Sequence, residues 1–140
     1  MTTTRGRVTD AARRTAERAP RPGVFARVGL GGMVLLAGVH KLLDPAAWTL
    51  YVVDWLEPFL VVSPTTFMLA NGWLEVAFGV ALLVDRYTAF AAFVAAVSLS
   101  ATCLYLAAVW ATAGLFGDVL ARDVGLAGLA WAVTVGALRR

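Results

Sequence analysis

The sequence is dominated by long apolar segments that are separated by short polar ones. The clearest of them, residues 87–117, contains no charged side chain. It is longer than the ~20 residues that an α-helix needs to cross the hydrocarbon core of a membrane. We therefore predict a membrane-spanning helix over residues 88–112.

Three other segments have the same character, although charged residues interrupt or border them. They predict spans over residues 24–43, 65–84 and 122–139. The last has a short uncharged part, and it crosses only if Arg122 and Arg139 extend toward the two interfaces. The alternative is a helix buried against the others without crossing, but the cationic end of the segment favours the crossing. The sequence thus predicts an all-α protein, a four-transmembrane-helix bundle.

The composition supports a membrane protein rather than a soluble one. Of the 140 residues, 60% are hydrophobic and 15% are charged, whereas a soluble domain has about 25% charged residues. The mean hydropathy of +0.76 also excludes a disordered chain, which would be polar and highly charged. The single cysteine and single histidine exclude an internal disulfide, a paired-thiol motif and a histidine-cluster metal site built from one chain.

The basic residues predict how the bundle is oriented. With the N-terminus in the cytoplasm and four crossings, ten basic residues lie inside, and only Lys41 and Arg122 lie outside. This asymmetry follows the positive-inside rule. We expect both termini to be cytoplasmic and the chain to be a multi-pass protein of the cell (plasma) membrane.

Residues 1–22 are a polar, arginine-rich tail ahead of a four-helix membrane domain that covers residues 23–140. No small-residue cleavage site follows the first apolar stretch, as a secretory signal peptide would require. The arginines could attach the tail to anionic lipid headgroups. We prefer the simpler interpretation of a disordered cytoplasmic tail whose charges set the topology.

An aromatic segment follows the Asp44-Pro45 pair, which ends the first predicted helix. Trp48, Tyr51 and Trp55 recur at helical spacing, and such amphipathic aromatic residues concentrate at membrane–water interfaces. We predict a short interfacial helix between helices 1 and 2 that lies on the outer leaflet. The alternative is a lid over an outward-facing pocket.

Glu75 is the most informative polar residue because it lies near the middle of the second span. An acidic residue at that depth costs about 2.5–3.5 kcal/mol on insertion scales. Asn71 and Gly79 stand four residues before and after it, so the three share one helix face. The glycine allows another helix to approach closely. We interpret this face as an interior contact with a polar centre, and Glu75 as the candidate catalytic residue.

Polar residues of the other spans fall at the depth of Glu75 or farther out. Thr102 lies near its depth, Tyr105 lies somewhat farther out, and Lys41 could reach inward to pair with Glu75. Together these positions outline a polar pocket that opens outward, with no metal site. The candidate binding residues are His40, Lys41, Asn71, Glu75, Thr102, Tyr105, Arg122 and Asp123. The alternative is a structural clasp, in which a protonated or paired Glu75 holds the bundle together.

Glycines recur in the first and last spans. They are Gly29, Gly31, Gly32, Gly38, Gly125, Gly128 and Gly136. Because small residues let membrane helices approach closely, we expect these glycines to lie at helix–helix contacts.

Four short pieces of the sequence carry a resemblance to a known family. They are Arg27-Val28-Gly29-Leu30, Gly38-Val39-His40-Lys41-Leu42-Leu43-Asp44-Pro45, Trp73-Leu74-Glu75-Val76-Ala77-Phe78-Gly79 and Arg122-Asp123-Val124-Gly125-Leu126. In this order and spacing they resemble the DoxX-like family of small four-helix integral membrane proteins. The resemblance covers about residues 25–138 and implies the same four-helix membrane fold.

The resemblance also implies a function. The family takes its name from a subunit associated with a terminal quinol oxidase, and relatives are linked to thiosulfate:quinone oxidoreductase. It implies a membrane subunit that supports quinone-linked redox chemistry through a partner, with quinone as the cofactor and no catalytic motif in the chain itself. The alternative is a non-enzymatic membrane scaffold or a carrier of a small lipophilic solute. The candidate partners are the lipid bilayer, a redox subunit and a second copy of the chain, and we expect no nucleic acid.

Overall fold

The computed structural model describes residues 4–140, and the regular structure in this part of the chain is helical. Its helices are α1 (Thr4–Arg18), α2 (Pro22–Leu43), α3 (Ala46–Thr49), α4 (Pro64–Leu83), α5 (Thr88–Ala113) and α6 (Gly117–Leu138), with a single 3-10 turn at Glu57–Phe59. Four of these helices, α2, α4, α5 and α6, are long and apolar enough to cross a membrane. The predicted all-α bundle with four transmembrane helices is confirmed.

The last helix begins earlier than the sequence predicted. α6 starts at Gly117 and has 22 residues, which at 1.5 Å per residue reach ~33 Å, enough for the ~30 Å hydrocarbon core. Gly114 (φ 69°) and Phe116 (φ 63°) adopt left-handed conformations that separate α6 from α5. Arg122 therefore lies in the second turn of the helix, and the crossing does not depend on its reaching the interface.

The four long helices form two closely packed pairs, α2 with α4 and α5 with α6, while contacts between the pairs are fewer. The α2–α4 contact depends on glycine. A Cβ atom on Gly79 would lie 2.6 Å from the backbone nitrogen of Leu35, and one on Gly38 would lie 2.7 Å from the carbonyl oxygen of Gly72. Any side chain at these positions would force the helices apart. The helix face that carries Glu75 thus packs against α2, as predicted.

The expectation that the other glycines lie at helix contacts is only partly confirmed. A Cβ atom on Gly31 would lie 3.0 Å from the Cβ atom of Leu82, but at five positions it would meet no atom within 4 Å. These five are Gly29, Gly32, Gly125, Gly128 and Gly136. These five glycines therefore make no close contact with another described helix of this chain, because small residues occur on several faces of α2 and α6 and only one face of each is interior.

The two ends of the bundle differ in packing. The turn end carries the α4–α5 turn, residues 84–87, with the start of α2 and the end of α6; the loop end carries residues 44–63 and 114–116. The hydrophobic core lies toward the turn end. Its fully buried members include Leu30, Leu82, Ala92, Ala96 and Ala130. The helix pairs are therefore packed together near the turn end and leave space between them near the loop end.

A cluster of charged groups links α2, the α4–α5 turn and the end of α6 at the turn end. Arg27 of α2 donates hydrogen bonds to two carbonyl oxygens at the end of α4 and lies 3.5 Å from Asp85. Asp85 also accepts hydrogen bonds from Thr88 at 2.6 Å and from Arg140 at 2.9 Å. The Thr88 hydroxyl, with smaller contributions from the two arginines, outweighs the effect of burial and holds the pKa of Asp85 below its ordinary value. The sequence did not indicate this cluster because its members are far apart along the chain.

The N-terminal tail differs from the expected disordered segment. Residues Thr4–Arg18 form α1, and its side chains are exposed from Val8 onward. Arg13 and Glu17, one helical turn apart, form a 3.6 Å ion pair that supports the helix. Residues 1–3 lie outside the described part of the chain. The orientation of the bundle in the membrane stays a prediction from the basic residues.

Candidate functional site

Space remains between the two helix pairs at the loop end. Two adjoining cavities of about 520 Å³ and 430 Å³ occupy it, within the size range of small-molecule sites. Both are lined by Lys41, Trp48, Asn71, Leu74, Ser98, Thr102, Arg122 and Asp123. Because they share these side chains, we treat the two as one space, the loop-end cavity.

The polar centre of the loop-end cavity is an ion pair between α2 and α4. Lys41 Nζ lies 2.5 Å from Glu75 Oε1, and Lys41 is only 5% exposed. Gly72 leaves room for the lysine, since a Cβ atom there would lie 3.1 Å from the Cβ atom of Lys41. Lys41 thus reaches inward to Glu75, as the sequence suggested.

The second carboxylate oxygen of Glu75, Oε2, is buried and has no hydrogen-bond partner among the described residues. Buried polar atoms without a partner are uncommon in native structures, and each one calls for an explanation. An ionised carboxylate can accept about four hydrogen bonds. Glu75 lines the cavity, but Oε2 itself has almost no accessible surface, so a group bound there would reach this oxygen only if the side chain rotates.

Trp48 covers the ion pair from the segment of residues 44–63, which we call the loop segment. Its ring centroid lies 4.4 Å from Lys41 Nζ, a distance at which the face of the ring attracts a cation. Its indole nitrogen donates a 2.8 Å hydrogen bond to Nδ1 of His40. His40 is exposed and lines neither of the two cavities. It contacts the site through its hydrogen bond with Trp48.

A second ion pair lies on α6. Arg122 Nε is 2.9 Å from Asp123 Oδ1, and the arginine side chain is 61% exposed, whereas Asp123 is buried. Both residues line both cavities. The charged side chains at the cavity wall, Lys41, Glu75, Arg122 and Asp123, therefore comprise two cations and two anions.

Tyr105 of α5 fixes the loop segment over the cavity. Its hydroxyl donates a 2.5 Å hydrogen bond to the carbonyl oxygen of Tyr51 and accepts one of 3.2 Å from the backbone N–H of Val53. The ring of Tyr51 packs against Phe116 with centroids 5.0 Å apart, and Trp55 packs against Tyr105 at 5.6 Å. These contacts hold the loop segment as a cover on the loop end, which fits the lid alternative better than simple anchoring.

The loop segment is less helical than the sequence predicted. A short helix does lie between the first two spans, but α3 ends at Thr49 and the 3-10 turn begins only at Glu57. The three aromatic residues expected on one helical row are therefore not on a continuous helix. Tertiary hydrogen bonding explains the difference, because backbone groups within residues 51–53 bond to Tyr105 instead of extending α3.

Most of the predicted site residues come together. All of the eight except His40 line the loop-end cavity, Asn71 from α4 and Thr102 from α5. Sequence reasoning did not identify Trp48 as a cavity residue and treated it as an interfacial anchor. The signal that could have found it is Pro45, which ends α2 and allows the chain to turn back toward the last turn of that helix.

Similarity to known proteins lies in the part of the chain that holds most of the cavity. The family model named DoxX matches residues 24–109, which include the Lys41–Glu75 pair. This match confirms the resemblance that the sequence motifs indicated. Arg122 and Asp123 lie beyond the matched segment. No curated protein and no solved structure matches the chain.

Proposed function

The chain belongs to the DoxX family, and on this premise we propose that it is a multi-pass membrane subunit that binds a quinone headgroup in the loop-end cavity. In this role it supports quinone-linked redox chemistry that a partner subunit completes. The observation that carries the proposal is the Lys41–Glu75 pair, an ion pair at the wall of a largely apolar cavity in which one carboxylate oxygen has no partner among the described residues.

The donors and acceptors of the cavity fit a quinone headgroup. The Lys41 ammonium can donate to a quinone carbonyl oxygen, and the Glu75 carboxylate, rotated toward the cavity, can accept from a hydroxyl of the reduced form. The charges at the wall balance, which favours a neutral headgroup over an ionic one. Flat aromatic side chains, Trp48 and Tyr51, also line the cavity and suit a planar ring.

A bound quinone would supply two-electron, two-proton redox chemistry at this position. The chain's own part would be to place the headgroup, to hold a proton on Glu75 Oε2 and to restrict water with the loop segment. The chain has a single cysteine and a single histidine. Electron carriers such as an iron–sulfur cluster or a haem, which need several such ligands, would therefore come from the partner subunit.

The two alternative functions make different demands on the structure. Transport of a lipophilic solute across the membrane would need a path through the turn end, which is filled by the core around Leu30, Leu82 and Ala130. A non-enzymatic scaffold would use the Lys41–Glu75 pair only to hold α2 against α4, and it predicts no ligand in the cavity.

Quinone binding by the purified protein in lipid nanodiscs tests the proposal. A quinone without an isoprenoid tail should quench tryptophan fluorescence saturably, because Trp48 lines the cavity. Glu75→Gln should weaken this binding about tenfold or more, since hydrogen bonds to charged groups contribute about 1.5–3 kcal/mol. Glu57→Gln, at an exposed acid of the loop segment, should bind as the parent does.

Circular dichroism establishes that the variants are folded before binding is compared. A folded Glu75→Gln variant that binds the quinone as tightly as the parent would remove Glu75 from the site. Absence of saturable binding by the parent would favour the scaffold.

A further inference from the structure

We propose that the ligand of the loop-end cavity enters from the lipid through a lateral opening between α4 and α5, and that it is an amphiphile whose hydrocarbon tail lies in this opening. The entry route rests on the proposed function, which places the headgroup beside Glu75. It adds a substrate class, a long-tailed quinone rather than a water-soluble one, and the residues that select it.

Six residues that line the cavity are also exposed at the surface of the bundle. Two of them are Phe67 and Arg122, and the other four are Ala70 and Leu74 of α4 with Ser98 and Ala101 of α5. Within each helix the two are about one turn apart, so they lie on one face. A side chain that borders both a cavity and the surface marks an opening. These residues therefore outline a slot between α4 and α5.

The connection between the two helices explains why the slot lies near the loop end. α4 and α5 are joined by residues 84–87 at the turn end. In the half of the bundle nearer that turn, the rings of Phe78 and Phe90 pack with centroids 6.0 Å apart. The main packing partners of the two helices differ, α2 for α4 and α6 for α5, so the space between them stays open toward the loop end.

The other sides of the cavity are closed or charged. Glycine contacts at Gly38 and Gly79 close the α2–α4 side. The loop segment, which is fixed by Tyr105, covers the loop end. On the α6 side stand Arg122 and Asp123, and pushing a hydrocarbon chain past them would cost desolvation of charged groups. The slot between α4 and α5 is the apolar route into the cavity.

The chemistry of the slot suits a flexible hydrocarbon tail. Ala70 and Ala101 present only methyl groups, Leu74 is apolar and 56% exposed, and none of the four slot residues is charged. A headgroup at Glu75 would leave its tail to pass through the slot into the lipid. The tail of a free quinone already lies in lipid, which is as apolar as the slot, so the slot selects the tail by letting it pass and not by added hydrophobic affinity.

Narrowing the slot tests the entry route. Ala101→Phe places a ring in the slot and should weaken binding of a quinone with a full isoprenoid tail about tenfold, the usual cost of overpacking an occupied site. The affinity for the quinone without a tail should fall much less, because the slot holds the tail and not the headgroup. Ala77→Phe is the matched control, because Ala77 is exposed on α4 and lines neither cavity; neither affinity should change. Fluorescence quenching in nanodiscs measures the affinities of the parent and both variants for the two quinones.

The outcomes separate the entry route from the proposed function. If the parent binds neither quinone, both fail. If the parent binds both and Ala101→Phe leaves the affinity for the tailed quinone unchanged, the entry route alone fails. Equal weakening for both compounds would also overturn it, because the ring would then act in the headgroup cavity rather than in the slot.

Photolabelling tests the entry route on the parent protein, so this test does not depend on the folding of a variant. A quinone that carries a diazirine on the first part of its tail should label peptides containing residues 70–74 and 98–101. Labelling confined to the loop segment would overturn the lateral route and indicate entry at the loop end.

Discussion

Two acidic residues form ion pairs at different places in the bundle, and the two pairs have different roles. Glu75 pairs with Lys41 between α2 and α4, and Asp85 pairs with Arg27 and Arg140 at the turn end. A buried ion pair contributes little net stability, because the loss of hydration offsets the attraction. Under the proposed function, the Lys41–Glu75 pair serves the ligand of the loop-end cavity and adds little net stability. Asp85 lies outside the spans and joins segments that are distant in sequence, so its role is structural.

Asp85→Asn should lower the free energy of unfolding at neutral pH, and its difference from the parent should shrink in acid. The Thr88 hydroxyl and the two arginines favour the ionised carboxyl in the folded state, so its native pKa lies below the ordinary value of 3.8. Such a group stabilises the fold above its ordinary pKa and loses this contribution as the pH falls through the native pKa. Unfolding titrations in detergent at neutral pH and well below pH 3.8 measure the difference.

Asp54→Asn provides the control for this experiment. Asp54 is exposed in the loop segment and has no ion-pair partner among the described residues, so its substitution should have little effect at either pH. An equal destabilisation by Asp85→Asn at both pH values would show that the charge of Asp85 is not what fastens the turn end.

At the scale of the helices, stability depends on which face of each helix meets a neighbour. Gly79 and Gly128 illustrate this dependence, because both are mid-helix glycines in apolar surroundings. A Cβ atom on Gly79 would lie 2.6 Å from a backbone nitrogen of α2, whereas one on Gly128 would meet no atom within 4 Å. The same substitution should therefore have opposite effects at the two positions.

Gly79→Ala should destabilise the bundle by roughly 1–3 kcal/mol, because the methyl group meets backbone that cannot move without separating α2 from α4. Gly128→Ala should be neutral or stabilising by up to about 1 kcal/mol, since alanine favours the helix over glycine. Unfolding with a denaturing detergent, followed by circular dichroism, measures both. Equal stability of the parent and Gly79→Ala would contradict the close α2–α4 contact, and a loss in Gly128→Ala would indicate a second copy packed on α6.

The spans were predictable from the sequence and the interior faces were not. Charge-free length alone identifies a membrane helix, which is why α5 was located almost to the residue. The interior face of a soluble helix shows as an apolar stripe, but a membrane helix is apolar on most sides. Only Glu75, whose charge is costly in lipid, marked an interior face from sequence alone. The glycines of α6 give no such signal, and a Cβ atom on Gly125, Gly128 or Gly136 would meet no atom of this chain within 4 Å.

For the whole molecule, the depth of polar residues could be read from the sequence, but the pairing of helices could not. Depth follows from a rise of 1.5 Å per residue, which places Thr102 near the level of Glu75 and Lys41 farther out near Asn71, and these residues do line one cavity. The loop-end cavity exists because α2 pairs with α4 and α5 with α6. That pairing depends on contacts between residues far apart along the chain. The same limit explains why the position of Trp48 in the cavity was not foreseen.

The arginines predict that the turn end of the bundle faces the cytoplasm. Arg21, Arg86, Arg139 and Arg140 all lie there, together with α1, and basic residues are retained on the inner side of membranes. In a Cys103→Ser background, Asp118→Cys at the start of α6 should react with a membrane-impermeant maleimide in intact cells. Ala11→Cys on α1 should react only after the membrane is opened.

Three spans lie between these two exposed positions, so they must lie on opposite sides if every span crosses. Reaction of both cysteines from one side would therefore contradict the four-span topology. If Ala11→Cys reacts in intact cells and Asp118→Cys does not, the orientation in the membrane is the reverse of the predicted one. The result also decides the proton path. In the predicted orientation the loop-end cavity lies in the outer half of the membrane, and Glu75 would exchange protons with the outside; in the inverted orientation it would exchange them with the cytoplasm.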